Sequence, residues 1–279
     1  MSSMNNRLLV PRKTPGLLDL VPGAAAAYSL RSLSRSYADP VVTVRRSSDD
    51  AEDSFTASEV ADGTLAAFCG AADGFVKQWW DQSVNARHAV QSTAGSQPQI
   101  VDSGVVILEE GKPAIEFDGV DDLLPVSDSA VLDLPATVFA VFTHSSSSDE
   151  RYIFARQLSG ANGGVILRQD NATGLVSLLT IDAASPYPAV SFSKKTGQDL
   201  VVGISAPPNS SIYSSFVLQD TDGSTSGFIN DAHPVAIGAR PDSANKIWDS
   251  KIQEIVVYPS DLTAQRELAE GLIAWGYSV

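Results

Sequence analysis

The residues with the clearest chemical potential are Trp79-Trp80-Asp81-Gln82. Aromatic rings stack on sugar faces, while neighbouring carboxylates and amides bind hydroxyls, so this run is a candidate glycan-binding site. Successive strand residues point to opposite faces. One tryptophan is therefore expected in the core, and the other toward solvent, a ligand or a partner. The competing reading pairs Asp81 with Arg87 or Arg46 as an internal brace for a loop.

Asp118, Asp121 and Asp122 offer hard oxygen ligands, and calcium takes six to eight of these. The alternative is a turn opened by Asp118-Gly119, with the other carboxylates facing water. The turn is the favoured reading, which leaves calcium as the one candidate ion. Asp242, Asn245 and Asp249 raise the same choice. His88, His144 and His233 lie far apart and lack the spacing of a zinc site. Neither a nucleophile elbow nor a phosphate-binding glycine loop occurs. The chain has a single cysteine, Cys69, expected as a small buried hydrophobe.

The 279 residues include 19 Lys and Arg against 33 Asp and Glu, a formal net charge of −14. Phosphate backbones and anionic membranes need clustered cations, so nucleic acid and membrane surfaces are not the expected partners. No run approaches the roughly 20 apolar residues of a membrane span. The start of the chain, Met1 to Pro22, lacks the apolar stretch of a secretory signal.

Residues 1–23 read as an extended arm, broken by Pro11, Pro15 and Pro22. Its apolar anchor points are Leu8, Leu9, Val10, Leu17 and Leu18. The alanine run Ala24–Ala27, followed by Leu30 and Leu33, predicts a helix. A short helix is expected over Ser58 to Cys69, and a last one after Ser260 with Leu268, Leu272 and Trp275 as its apolar stripe. From about Gly74, short apolar runs alternate with turn residues, the mark of a sandwich or barrel. Val138-Phe139-Ala140-Val141-Phe142 does not alternate, so that strand should be covered on both faces. The expected architecture is all-β: a two-sheet antiparallel concanavalin-like β-sandwich, or jelly roll. It comprises an arm over 1–23 and one domain over 24–279 with a few short peripheral helices.

Two stretches carry family resemblances. Ala236 to Asp242, continued by Trp248 to Tyr258, resembles the end of laminin-G-like concanavalin A-type domains, and Ile115 to Asp122 fits the same pattern. Such domains occur in bacteriophage tail fibres, and the resemblance implies two packed sheets with a sugar-facing concave side. Val44 to Asp49 and Trp79 to Ala89 resemble the catalytic domain of family 54 α-L-arabinofuranosidases, also a concanavalin-like sandwich. In that family the acid is an Asp whose counterpart here is Asp242. The nucleophile is a Glu in a segment similar to Val165 to Asn171, where this chain has Asp170 and no Glu.

The missing glutamate tips the expectation away from an enzyme. The expected function is a phage virion structural protein, a tail-fibre or spike component located in the virion. Its arm would attach to other virion proteins. The sandwich would bind host polysaccharide through Trp79, Trp80, Asp81, Gln82 and Asp242, and a homo-oligomer, by analogy a trimer, is the expected assembly. The alternatives are a capsid decoration protein and an arabinofuranosidase-like hydrolase. The hydrolase would use Asp242 and Asp170 as its catalytic carboxylates.

Overall fold

The structure is a computed structural model that describes residues 14–126, 135–156, 164–170, 172–181, 189–224, 234–241 and 246–277. The antiparallel ladders form two layers. One sheet runs Val217–Asp222, Asn209–Ser214, Gln198–Ala206, Ala136–Thr143 and Lys251–Tyr258. Its far side is completed by Ala26–Ser29 and Ile115–Glu116, both paired to Lys251–Tyr258.

The second sheet starts with Glu52–Phe55, Val42–Arg46, Gly74–Trp79, Ala89–Val90 and Leu124–Val126. It continues through Val235–Ile237, Glu150–Arg156, Gly164–Asp170, Leu175–Ile181 and Ala189–Ser193. Gln99–Asp102 pairs with strands of both sheets and joins them. The expected two-sheet antiparallel sandwich is what the chain forms.

The strand Ala136–Thr143 shows why its sequence does not alternate. Val138, Ala140 and Phe142 face the core between the sheets, with Ile255, Leu167, Leu178 and Trp248. Phe139 and Val141 face a second apolar layer, against Ala269, Ile273 and Tyr277 of the terminal helix Arg266–Tyr277. Burial on both sides removes the period of two.

Three local expectations fail, each for a packing reason. The alanine run is a strand, Ala26–Ser29, buried at every position and paired to Glu254–Val257. Small side chains fit between the sheet and the helical layer, and that fit overrides helix propensity. The terminal helix begins at Arg266 and not near Ser260. It buries Ala269, Ile273 and Tyr277, while Leu268 and Trp275 point outward at 50% and 71% exposure.

The described end of the arm, from residue 14 onward, is the third case. Leu17 opens a short helix, Leu17–Leu20, and is fully buried in the domain's own second core with Val21 and Leu33. Leu18 packs against the same cluster. Asp19 fixes this turn, accepting bonds from the amides of Gly16 and Arg35 and from the Ser34 hydroxyl. These bonds outweigh the opposing effect of burial and pull its pKa down to about 2. Leu17 and Leu18 thus serve this domain rather than a partner, while Leu8, Leu9 and Val10 lie outside the described residues.

Candidate functional site

The tryptophan run resolves into structural roles. Trp79 is fully buried beside Tyr28, with ring centroids 5.9 Å apart. Trp80 is half-buried; its indole Nε1 donates to Thr43 Oγ1 at 2.9 Å, and its ring lies 4.6 Å from that of His88. Asp81 is 3% exposed, and its two oxygens accept from the amides of Ala27, Ser83 and Arg87 and from the Ser83 hydroxyl. It braces a loop, as the competing reading held, though through the Arg87 backbone and not its guanidinium. Gln82, 5% exposed, accepts from the Leu33 amide and donates to the carbonyls of Ser29 and Arg31. The polar atoms of Asp81 and Gln82 are engaged internally, while Trp79 Nε1 is buried with no hydrogen-bond partner among the described residues.

The aspartate cluster forms the expected turn. Asp118 Oδ1 accepts from the amides of Val120 and Asp121, and Asp122 Oδ2 accepts from the Asp118 amide. The three carboxylates reach within 4.8 Å of one another. Asp249 Oδ2 pairs with Arg151 at 3.8 Å, and its Oδ1 is buried with no hydrogen-bond partner among the described residues.

A different set of polar residues gathers on the outer face of the second sheet. In the ladder between Glu150–Arg156 and Gly164–Asp170, Glu150 lies opposite Asp170, and Tyr152 lies opposite Arg168. Opposed residues share a face, so these four form one patch, continued by Ser177 opposite Arg168 and Ser191 opposite Ser177. Tyr152, Ala155, Ile166 and Leu179 make the apolar floor beside it.

Charge is concentrated on Glu150. Arg168 and Lys246 both form ion pairs with its carboxylate, and the Tyr152 hydroxyl donates to it at 3.3 Å. The Arg240 guanidinium and the Lys246 ammonium stand 5.9 and 5.8 Å from the Tyr152 ring centre. Burial draws the Arg168 guanidinium below its usual pKa, opposed by the charge of Asp170. Arg168 Nε is buried with no hydrogen-bond partner among the described residues. Asp170 Oδ1 accepts from the amides of Ala172 and Thr173, which closes the turn after its strand.

The patch is held from behind. Gln169, between Arg168 and Asp170, points inward; it donates to the Ser145 carbonyl and presents Oε1 to His144 Nδ1 at 3.1 Å. His144 Nε2 lies 3.3 Å from Asp199, which also accepts from the hydroxyls of Ser214 and Ser215. Burial alone would push the Asp199 carboxyl up. The bonds from His144, Ser214 and Ser215 outweigh it and hold the group below the usual carboxylate range. This chain ties the first sheet to the end of Gly164–Asp170. In front, Gly238 carries the turn toward Arg240 with φ of +80°, and a Cβ there would stand 2.1 Å from the Phe117 ring. Only glycine allows that approach.

Asp170, singled out from the sequence, is therefore in the patch, and Asp242 lies outside the described residues. Glu150, Tyr152, Arg168, Arg240 and Lys246 are members that sequence reasoning did not assign to the site. Their placement depends on hairpin register, which no local motif announces.

Comparison with known proteins bears on fold. No family model and no curated protein sequence matches the chain. A solved arabinofuranosidase complexed with arabinofuranosyl-α-1,2-xylobiose matches with a TM-score of 0.62 at 16% identity, covering 92% of this chain and 64% of that one. Domain 4 of a family 43 extracellular arabinanase from Geobacillus stearothermophilus, in complex with arabinotriose, matches at 0.53 and 14% identity, covering 69% of this chain and 91% of that one. Trypanosoma rangeli sialidase matches at 0.50 and 15% identity, covering 72% and 31%. The chain thus spans about 64% of the arabinofuranosidase it resembles.

Identities this low establish the sandwich fold alone. They nevertheless correct the functional expectation. The likeness is to arabinofuranosidases, an arabinanase domain and a sialidase, and nothing in it points to a virion, a tail fibre or a laminin-G domain. The expectation of a non-enzymatic virion component is overturned by these likenesses.

Proposed function

We propose that this chain is a carbohydrate-active sandwich of the arabinofuranosidase-like type, hydrolysing furanosides on the outer face of its second sheet. The observation that carries the reading is the opposition of Glu150 and Asp170 across one ladder. Like charges directly opposed weaken a sheet, and Arg168 and Lys246 offset the charge of this pair at Glu150. A retaining glycosidase needs two carboxyls about 5–5.5 Å apart, and opposition across the ladder sets the Glu150 and Asp170 side chains on one face as neighbours. Tyr152, 3% exposed, packs beneath the carboxyls, and Arg168 and Lys246 gather cationic charge at Glu150. The fold likeness to arabinofuranosidases over 92% of the chain agrees with this reading.

The test is turnover of 4-nitrophenyl α-L-arabinofuranoside. The wild-type chain should release nitrophenol, and Asp170→Asn should lower kcat by roughly a hundredfold or more with its melting temperature unchanged. Binding of arabino-oligosaccharide without any turnover across a panel of aryl furanosides would remove the hydrolase reading.

A further inference from the structure

Resting on that reading, we infer that Glu150 is the nucleophile of the site, supplied by the strand next to the one where the resemblance looks for it. The segment Val165 to Asn171 holds no glutamate, and Asp170 stands in its place. The side chain of Asp170 is one methylene shorter, and its Oδ1 is tied to the amides of Ala172 and Thr173. Glu150, directly across the ladder, has the longer reach.

The surroundings of the two carboxyls fit different tasks. A nucleophile must stay ionised. Glu150 is paired with both Arg168 and Lys246 and accepts from the Tyr152 hydroxyl, all of which favour the carboxylate. Its side chain is 17% exposed, so it is reachable yet shielded from bulk water. Asp170 has no salt bridge of its own among the described residues. With Oδ1 bonded to those amides, Oδ2 is the oxygen available for the acid–base role.

The reaction then balances with water alone. A Glu150 oxygen bonds to the anomeric carbon as the bond from that carbon to the leaving oxygen breaks, and Asp170 passes its proton to the departing oxygen. Water attacks the same carbon, gives its proton to Asp170, and releases Glu150 as a carboxylate. Two displacements return the sugar with its original anomeric configuration.

The experiment is covalent labelling of the full chain with an arabinofuranose-configured cyclic sulfate, followed by peptide mass spectrometry, with kinetics of two variants. The expected label sits on Glu150. Glu150→Gln should lose roughly a thousandfold or more in kcat. Glu150→Asp keeps the charge for Arg168 and Lys246 but withdraws the oxygen, and should still lose roughly a hundredfold with an unchanged melting temperature. A label on Asp170, or near-normal turnover in Glu150→Asp, overturns the assignment while leaving the hydrolase reading intact. Absence of turnover and label in the wild-type chain overturns both.

Discussion

Glu254→Ala should cost about 3 kcal/mol of stability, read as a shift in the urea midpoint. Glu254 is 1% exposed and sits where the strand Lys251–Tyr258, the strand Ala26–Ser29 and the terminal helix meet. Arg31 grips it with two bonds of 2.9 Å, while the Ser29 hydroxyl donates at 2.8 Å and the Tyr277 hydroxyl at 3.0 Å. Burial, joined by the charge of Glu254, also pushes the Tyr277 phenol far above its usual pKa. Removing Glu254 leaves the Arg31 guanidinium and the Ser29 hydroxyl without this acceptor, while Tyr277 keeps the Gln253 carbonyl, and the groups left partnerless account for most of the loss. Replacing both charges, Arg31→Met with Glu254→Leu, should recover part of it, because a buried pair can be exchanged for packed hydrophobes at little net cost. A single variant costing under about 1 kcal/mol would show that the pair is solvated rather than buried.

Raising the pH from 4 to 8 should weaken the fold, and Asp122→Asn should remove most of that dependence. Burial, with the charges of Asp118 and Asp121, lifts the Asp122 carboxyl from its ordinary 3.8 to about 7. The folded state therefore holds a proton that the unfolded chain releases. Stability from this group is full below pH 3.8 and is lost as pH climbs through about 7. The expected loss is roughly 2 kcal/mol, about half of what the full shift would give, because water at the surface turn screens the neighbouring charges. Asparagine keeps an oxygen for the Asp118 amide, so the variant should be the more stable protein at pH 8. Equal slopes of urea midpoint against pH in the two proteins would contradict the raised carboxyl.

The sandwich was legible because strand patterning and turn residues report burial, and burial dictates the layers. Val138 to Phe142 announced a doubly covered strand, and it is one. Reading failed where tertiary context decides. Ala26 to Ser29 has helical propensity, yet its small side chains suit a strand beneath a helix. Leu268 and Trp275 form a periodic stripe that faces outward, because Ala269, Ile273 and Tyr277 fit the sheet better. The tryptophan run stands out by composition, but burial sets Trp79 in the core and gives Asp81 and Gln82 internal partners. Of the outer-face site, only Asp170 was visible beforehand. Glu150 lies 20 positions earlier and meets it only through the register of the ladder.

The central claim is that carbohydrate is handled on the outer face of the second sheet. Hydrogen exchange of the Asp170→Asn variant, with and without saturating arabino-oligosaccharide, tests it most directly. Slowed exchange in the peptides spanning 150–156 and 164–170 is the predicted result. Protection confined to the Trp79–Gln82 region, or to no region at saturation, would contradict the account.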